Sequence, residues 1–142
     1  MGKLYYWAVG RKAGFLMKKE WFFFPLGVLF RAMGGIPVYR SQRTSTVEQL
    51  QEYIRKSSSC SIAITPEGTR GRVTHWKTGF YRIALGAGVP IELAVIDYLR
   101  KELGIIEVFH PTGDEEADIA YIRSRYSASQ ARFPHKFAEL ES

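Results

Sequence analysis

Apolar positions recur along this chain with two different periods, and each change of period marks an element. Cys60, Ile62 and Ile64 alternate with Ser61 and Ala63, which is the two-residue period of a strand. That strand is expected to stop at Thr65-Pro66, because proline has no ladder N–H and holds the residue before it extended. Val47, Leu50 and Ile54 recur instead at helical spacing, and Ser45-Thr46-Val47-Glu48 has the form of a capping box, so a helix is predicted from Ser45 to about Lys56. Upstream, Ile36–Arg40 reads as a short strand. It follows the pair Gly34-Gly35, which closes a helix begun at Pro25 with Leu26, Leu29, Phe30 and Met33 on one side. A helix over the first residues and a short strand near Ala13–Met17 are expected before it, although Gly10 and Gly14 interrupt both patterns.

Downstream, a helix over Phe80–Leu85 is closed by Gly86-Ala87-Gly88. The strands Pro90–Tyr98 and Leu103–Phe109 are joined as a hairpin by the charged turn Arg100-Lys101-Glu102. Asp114-Glu115-Glu116 opens a last helix, Ala117 to about Tyr126, with its acids at the positive end of the helix dipole. Beyond Ser127 no period is evident. The strand–helix–strand succession from Ile36 to Ile64 implies a right-handed crossover with parallel pairing. The expected fold is α/β: one domain over residues 1–142, with a mixed, mostly parallel sheet flanked by helices.

Composition narrows the partners. Twenty basic residues against fourteen acidic ones give a net charge of +6, which favours anionic partners: nucleic acid, phosphorylated small molecules or an anionic membrane surface. The single Cys60 excludes an internal disulfide and argues against a cysteine-built metal site. No apolar run reaches the length of a membrane-spanning helix, and the start lacks a signal-peptide pattern. Trp21-Phe22-Phe23-Phe24, preceded by Lys18-Lys19, reads either as rings filling the core or as an interfacial patch with rings at headgroup depth and ammonium groups beside phosphates. There is no Gly-rich P-loop, no G-x-G-x-x-G fingerprint and no RNA-binding aromatic pair, which weighs against nucleotides and nucleic acid.

The stretch Cys60–Arg72 carries the candidate chemistry. A strand ends in a turn that holds one carboxylate, Glu67, one glycine, Gly68, and two guanidinium groups, Arg70 and Arg72. Gly68 lets the backbone approach a ligand or take a positive φ, and the arginine forks suit phosphate oxygens. On residue types alone, an anion site at the lip of a sheet and a Glu67–Arg70 pair bracing a surface turn are both open. The string Pro66-Glu67-Gly68-Thr69-Arg70 resembles the P-E-G-T-R signature of the glycerolipid acyltransferases, the family that includes 1-acyl-glycerol-3-phosphate acyltransferase. Gly34-Gly35-Ile36-Pro37-Val38-Tyr39-Arg40 is similar to that family's second block, and Val89-Pro90-Ile91 to its last.

The resemblance implies a glycerol-phosphate acyltransferase-like fold and transfer of a fatty acyl group to a hydroxyl of a lysoglycerol phosphate, in phospholipid biosynthesis. It implies acyl-CoA or acyl carrier protein as co-substrate, no further cofactor and no metal. The acceptor, a glycerol phosphate or lysophospholipid such as lysophosphatidic acid, falls to Arg40, Glu67, Gly68, Thr69 and Arg70. Lys77, in the lysine and glycine that lead into the next helix, is a further candidate for a phosphate contact, with a solvated lysine as the alternative. A peripheral position on the cytoplasmic membrane face is expected.

The family's catalytic base, a histidine with an aspartate five positions later, precedes the second block. Here His75, His110 and His135 all follow that block, and none has aspartate at the fifth following position. His110 has Glu115 there, and reads as a strand-end histidine followed by a helix cap. No catalytic residue is therefore assigned within these residues. The expectation is that the first strand and the catalytic turn lie upstream of Met1, in which case the chain is an acyltransferase domain partial at its N-terminus. Two other readings stay open: a non-catalytic relative that binds lipid phosphate or a partner and has lost the base, and a basic α/β module for nucleotides or nucleic acid.

Overall fold

The computed structural model describes residues 13–18, 32, 35–38, 45–68 and 73–137, and the chain forms two compact units, Lys3–Ile64 and Thr65–Ser142. The first is built on a short parallel sheet. Strand β1 (Ala13–Lys18) lies between β2 (Gly35–Val38) and β3 (Ser61–Ile62). Its first two residues pair with β3, Ala13 with Ser61 and Gly14 with Ile62, and its last four pair with β2, from Phe15 with Gly35 to Lys18 with Val38. Pro37 is tolerated in β2 because that strand lies at the edge of the described sheet, where one side of the backbone need not donate.

Helix α1 (Thr46–Lys56) connects β2 to β3 in chain order, and its start follows the predicted capping box closely. The Glu48 N–H donates to Ser45 Oγ at 3.2 Å, and the Ser45 N–H donates back to Glu48 Oε2 at 3.0 Å. Two otherwise orphaned donors are thus satisfied at once. Leu50 fixes the buried side of the helix at 1% exposure. At its other end the Ser57 hydroxyl donates to the Tyr53 carbonyl and Lys56 pairs with Glu52.

Two expectations change in this unit. The strand expected over 60–64 forms only at Ser61–Ile62, which pair with Ala13 and Gly14 at the start of β1. β2 and β3 are parallel, as the crossover implied, but they are not neighbours, since β1 lies between them. The expected helix over the first residues, the expected helix from Pro25 apart from Ala32, which is helical, and residues 19–24 lie outside the described residues, as do Tyr39 and Arg40 at the end of the second expected strand.

The second unit pairs two helices with a hairpin. α2 (Gly79–Ala87) ends on Gly88, whose φ of +69° is the left-handed cap that lets its N–H reach the Ala84 and Leu85 carbonyls. β4 (Ile91–Asp97) and β5 (Glu102–Phe109) pair antiparallel, as the sequence predicted, with a bulge that leaves Ile106 unmatched between Leu93–Glu107 and Ala94–Ile105. α3 (Glu115–Ser124) is capped by Asp114, which accepts from the Ala117 N–H at 3.1 Å. It stops before the expected Tyr126, whose hydroxyl instead donates to the Ala94 carbonyl of β4. The α/β class therefore holds, with parallel pairing in the first unit and antiparallel pairing in the second.

Tyr81, Ile83 and Ala84 of α2, Leu93 of β4 and Ile122 of α3 are the buried apolar residues of this unit. One polar cluster lies among them. The Tyr81 hydroxyl donates to Asp118 Oδ2 at 2.8 Å and accepts from the Gly113 N–H at 3.0 Å. Thr112 adds its N–H to Oδ2 at 2.7 Å and its hydroxyl to Oδ1 at 2.9 Å. Asp118 is 5% exposed, so an unsatisfied carboxylate there would be costly, but every buried side-chain polar atom among the described residues has a partner. Burial acts to raise the Asp118 pKa. The hydrogen bonds from the Thr112 N–H, the Tyr81 and Thr112 hydroxyls and the Gly113 N–H outweigh it and hold the carboxyl below its ordinary value.

A carboxyl that binds its proton less readily folded than unfolded gives stability that is complete above its unfolded pKa, near about 3.9. That stability is lost as the pH falls through the lower folded value. Asp118→Asn turns an acceptor into a donor facing donors, and should cost about 1–3 kcal/mol at neutral pH. Urea unfolding from neutral to strongly acidic pH should also show a shallower acid loss in the variant than in the parent. The slope that remains belongs to carboxyls such as Glu52 and Glu115, which are likewise held low by their partners. An unchanged acid slope would remove Asp118 from this role.

Candidate functional site

Residues 65–68 form a turn closed by the Gly68 N–H donating to the Thr65 carbonyl at 3.2 Å. Pro66 supplies the fixed φ that suits the second position of such a turn. Gly68 sits at φ +64°, where a side chain is strained. The chain then returns to the same turn: the Lys77 N–H donates to the Pro66 carbonyl at 2.9 Å. This backbone contact brings the lysine side chain over the glycine. A Cβ added at Gly68 would lie 3.1 Å from Lys77 Nζ, 3.2 Å from Cε and 3.3 Å from Cδ. The ammonium is therefore seated on the turn that carries Glu67. Glycine is favoured here by the backbone angle, and its missing side chain leaves room for the lysine that lies against it.

What holds Lys77 in place is its neighbour. The Trp76 ring meets Phe80 of α2 edge-on at 6.4 Å and Tyr126 edge-on at 6.1 Å, and the Arg123 guanidinium of α3 lies 5.7 Å from its centroid. One indole thus fastens the approach to α2 against both helices. Just beyond it, Arg82 of α2 forms a two-pronged pair with Glu115 of α3, at 2.9 and 3.1 Å. The Arg82 fork, joined by the Thr78 hydroxyl, lowers the Glu115 pKa. Sequence reading missed Trp76. The available signal was its spacing from Phe80, four positions along and so on one helical face had the helix begun earlier.

Of the residues expected at the site, the structure brings Glu67, Gly68 and Lys77 together on one turn. Arg40, Thr69, Arg70 and Arg72 lie outside the described residues. Glu67 is half-buried and Lys77 is exposed, so the ammonium that lies against Gly68 faces solvent. His75, His110 and His135 are all exposed. His110 follows the end of β5, and Glu115, the acid at its fifth position, is held by Arg82. The strand-end reading of His110 stands.

The acyltransferase family model matches residues 3–96, well over half of the chain, from before β1 to the end of β4 and so across the whole 65–77 turn. The chain belongs to the acyltransferase family. Among its relatives, 1-acyl-sn-glycerol-3-phosphate acyltransferase of Salmonella typhimurium is 29% identical over 140 residues, covering 87% of this chain and 57% of that protein. The enzyme of the same name from Cocos nucifera is 33% identical over 91 residues, covering 60% of this chain and 30% of that protein. That of Haemophilus influenzae is 38% identical over 81 residues, covering 52% and 33%. The chain therefore spans between about a third and somewhat over half the length of these relatives. No solved structure matches it. Within this acyltransferase family member, residues 65–68 and Lys77 are the part of the candidate site that the described residues show.

Gly68→Ala should destabilise the acyltransferase chain by about 1–2 kcal/mol, the cost of a side chain in the left-handed region, plus whatever displacing Lys77 adds. Lys77→Ala alone should cost little, because the side chain is exposed. In the double variant the displacement part should vanish while the backbone part remains, so the two changes should couple favourably in a thermal-unfolding cycle. Strict additivity would mean that Lys77 does not rest on Gly68 in solution.

Proposed function

We propose that this chain binds the phosphate of a glycerol-phosphate acceptor in acyl transfer from acyl-CoA or acyl carrier protein. The product chemistry is that of 1-acyl-glycerol-3-phosphate acylation in phospholipid synthesis. The observation that carries the reading is the Lys77 ammonium seated on Gly68 of the P-E-G-T-R turn, in a chain of the acyltransferase family. The names of the relatives support the acceptor class. In the reaction a base removes the acceptor hydroxyl's proton, the oxygen attacks the thioester carbonyl, and the donor's thiolate departs and takes up a proton. Arg40, Glu67, Thr69 and Arg70 would hold the phosphate with charge-assisted hydrogen bonds, Gly68 would give the backbone its close approach, and Lys77 would add a third cation. No cofactor or metal enters this scheme.

A membrane location follows from the substrate. An acyl chain is delivered most readily at a bilayer surface, and the +6 charge together with the Lys18–Phe24 stretch suits peripheral attachment at an anionic, cytoplasmic face. Residues 19–24 lie outside the described residues, so this part rests on sequence. A second reading, a non-catalytic relative that binds lipid phosphate or a partner, is favoured by one observation: these 142 residues contain no histidine with aspartate at the fifth following position.

Phosphate binding and catalysis separate experimentally. Arg40→Ala or Arg70→Ala, in a protein that also carries a His-x-x-x-x-Asp turn ahead of this chain, should raise the acceptor KM about 10-fold or more. Each lost contact to a charged group is worth roughly 1.5–3 kcal/mol. The 142 residues alone should transfer acyl groups at least about 10²–10⁴-fold more slowly than that longer protein, because a glycerol hydroxyl attacks poorly without a positioned base. Fast transfer by the 142 residues would show that the base lies among them, and equal KM values in the arginine variants would overturn the phosphate assignment.

A further inference from the structure

The tip of the β4–β5 hairpin carries exposed apolar side chains beside cations. Leu99 is 72% exposed, far more than any other large apolar residue among those described, and Tyr98 and Ile96 beside it are 39% and 38% exposed. Arg100 and Lys101 follow directly, both exposed. The turn itself is firm: the Arg100 N–H donates to the buried Asp97 carboxylate at 2.9 Å, and the Tyr98 N–H donates to the Gln130 carbonyl at 2.9 Å. That second bond ties the segment after α3 to the hairpin's end, and this segment brings Arg132 stacked on Phe133, itself 49% exposed. Against the three cations stand Glu102, which opens β5, and Asp97, whose carboxylate faces inward.

Lys101 adds an independent observation. It is the one non-glycine residue with positive φ, +57°, among the described residues, while Gly68, Gly88 and Gly113 fill the other such positions. A lysine where glycine would be less strained marks a position chosen for its side chain rather than for the turn.

We propose that this hairpin tip is a membrane-contact surface for an anionic phospholipid bilayer. Leu99 enters the headgroup–acyl boundary, Tyr98 lies at the interface, and Arg100 and Lys101 meet lipid phosphates. Apolar tip residues flanked by cations are what such a surface selects, since burial of the one and attraction of the other act together. The inference deepens the membrane reading above, but it assigns contact to residues 98–101 rather than to the stretch over 18–24.

The test uses the full 142-residue chain and vesicles of phosphatidylcholine with roughly one-third phosphatidylserine. Leu99→Cys in a Cys60→Ser background carries a polarity-sensitive dye. Its emission should shift to the blue on these vesicles, and should shift much less on phosphatidylcholine alone or in high salt. Leu99→Ser should weaken partitioning about tenfold, and Lys101→Gly about fivefold. Lys101→Gly should leave the melting temperature unchanged or raise it, which a purely structural lysine would not do. A chain that binds vesicles while the dye stays in water would overturn the tip and leave peripheral attachment standing, whereas no vesicle binding would overturn both. A blue shift without vesicles that grows with protein concentration would assign the tip to self-association and overturn the proposal.

Discussion

The buried pair of Tyr81 and Asp118 is the contact on which the second unit depends. α2 and α3 are separated by a whole hairpin in the chain, yet one phenol and one carboxylate join them, and Thr112 and Gly113 close the cluster by adding backbone donors from the loop before α3. A buried carboxylate with too few donors would destabilise the fold. With this set it becomes a rigid locating point, because each donor has a fixed direction. The consequence reaches the candidate site. α2 is fixed, so Phe80 at its start is fixed. Trp76 packs on Phe80, and the Trp76 ring settles where Lys77 leaves the chain. Lys77 can then lie on Gly68 without a direct hold of its own beyond one backbone hydrogen bond.

How much of this was legible in the sequence depends on the reach of each interaction. Contacts that close within four residues announced themselves. Ser45 with Glu48, Gly88 after α2 and Asp114 before α3 all stand where a helix end demands that residue type, and the structure uses each in the expected way. The 65–68 turn belongs to the same class, since proline and glycine each serve one local backbone angle. The Tyr81–Asp118 contact spans 37 positions and leaves no periodic trace, so nothing in the sequence marks Asp118. The order β2-β1-β3 was equally hidden, because hydrophobic alternation says that a strand exists but not which strand it meets. The short β3 is a further case: its pattern over 60–64 is that of a longer strand, but alternation does not say how far a partner will pair with it.

Carboxylates in the described residues are largely turned to internal work, and this shapes the face the chain presents. Glu48, Asp97, Asp114 and Asp118 accept from backbone N–H groups near helix starts and turns, while Glu107 takes the Tyr121 hydroxyl and pairs with Arg125. An acid that neutralises a backbone dipole stabilises the fold without pairing with a lysine or arginine side chain. The sequence holds six more cations than anions, and Glu48, Asp97, Asp114 and Asp118 are taken up by backbone donors, while Glu52, Glu107 and Glu115 pair with Lys56, Arg125 and Arg82. Exposed cations beside apolar surface, as at Lys77 near the turn and at Arg100 and Lys101 near Leu99, follow from that division.

The same division explains why the two basic places differ in kind. At Gly68 the backbone has given way to the cation: a glycine takes the positive φ, the space of its missing side chain is filled by Lys77, and Glu67 stands on the same turn. Such a cation lies against one point of the backbone. At residue 101 the cation has taken the strained position itself, on a tip with an exposed leucine and with no carboxylate held against it by the turn. The two basic places therefore differ in backbone geometry: one cation lies against a glycine in the left-handed region, and the other occupies such a position itself, beside an exposed leucine.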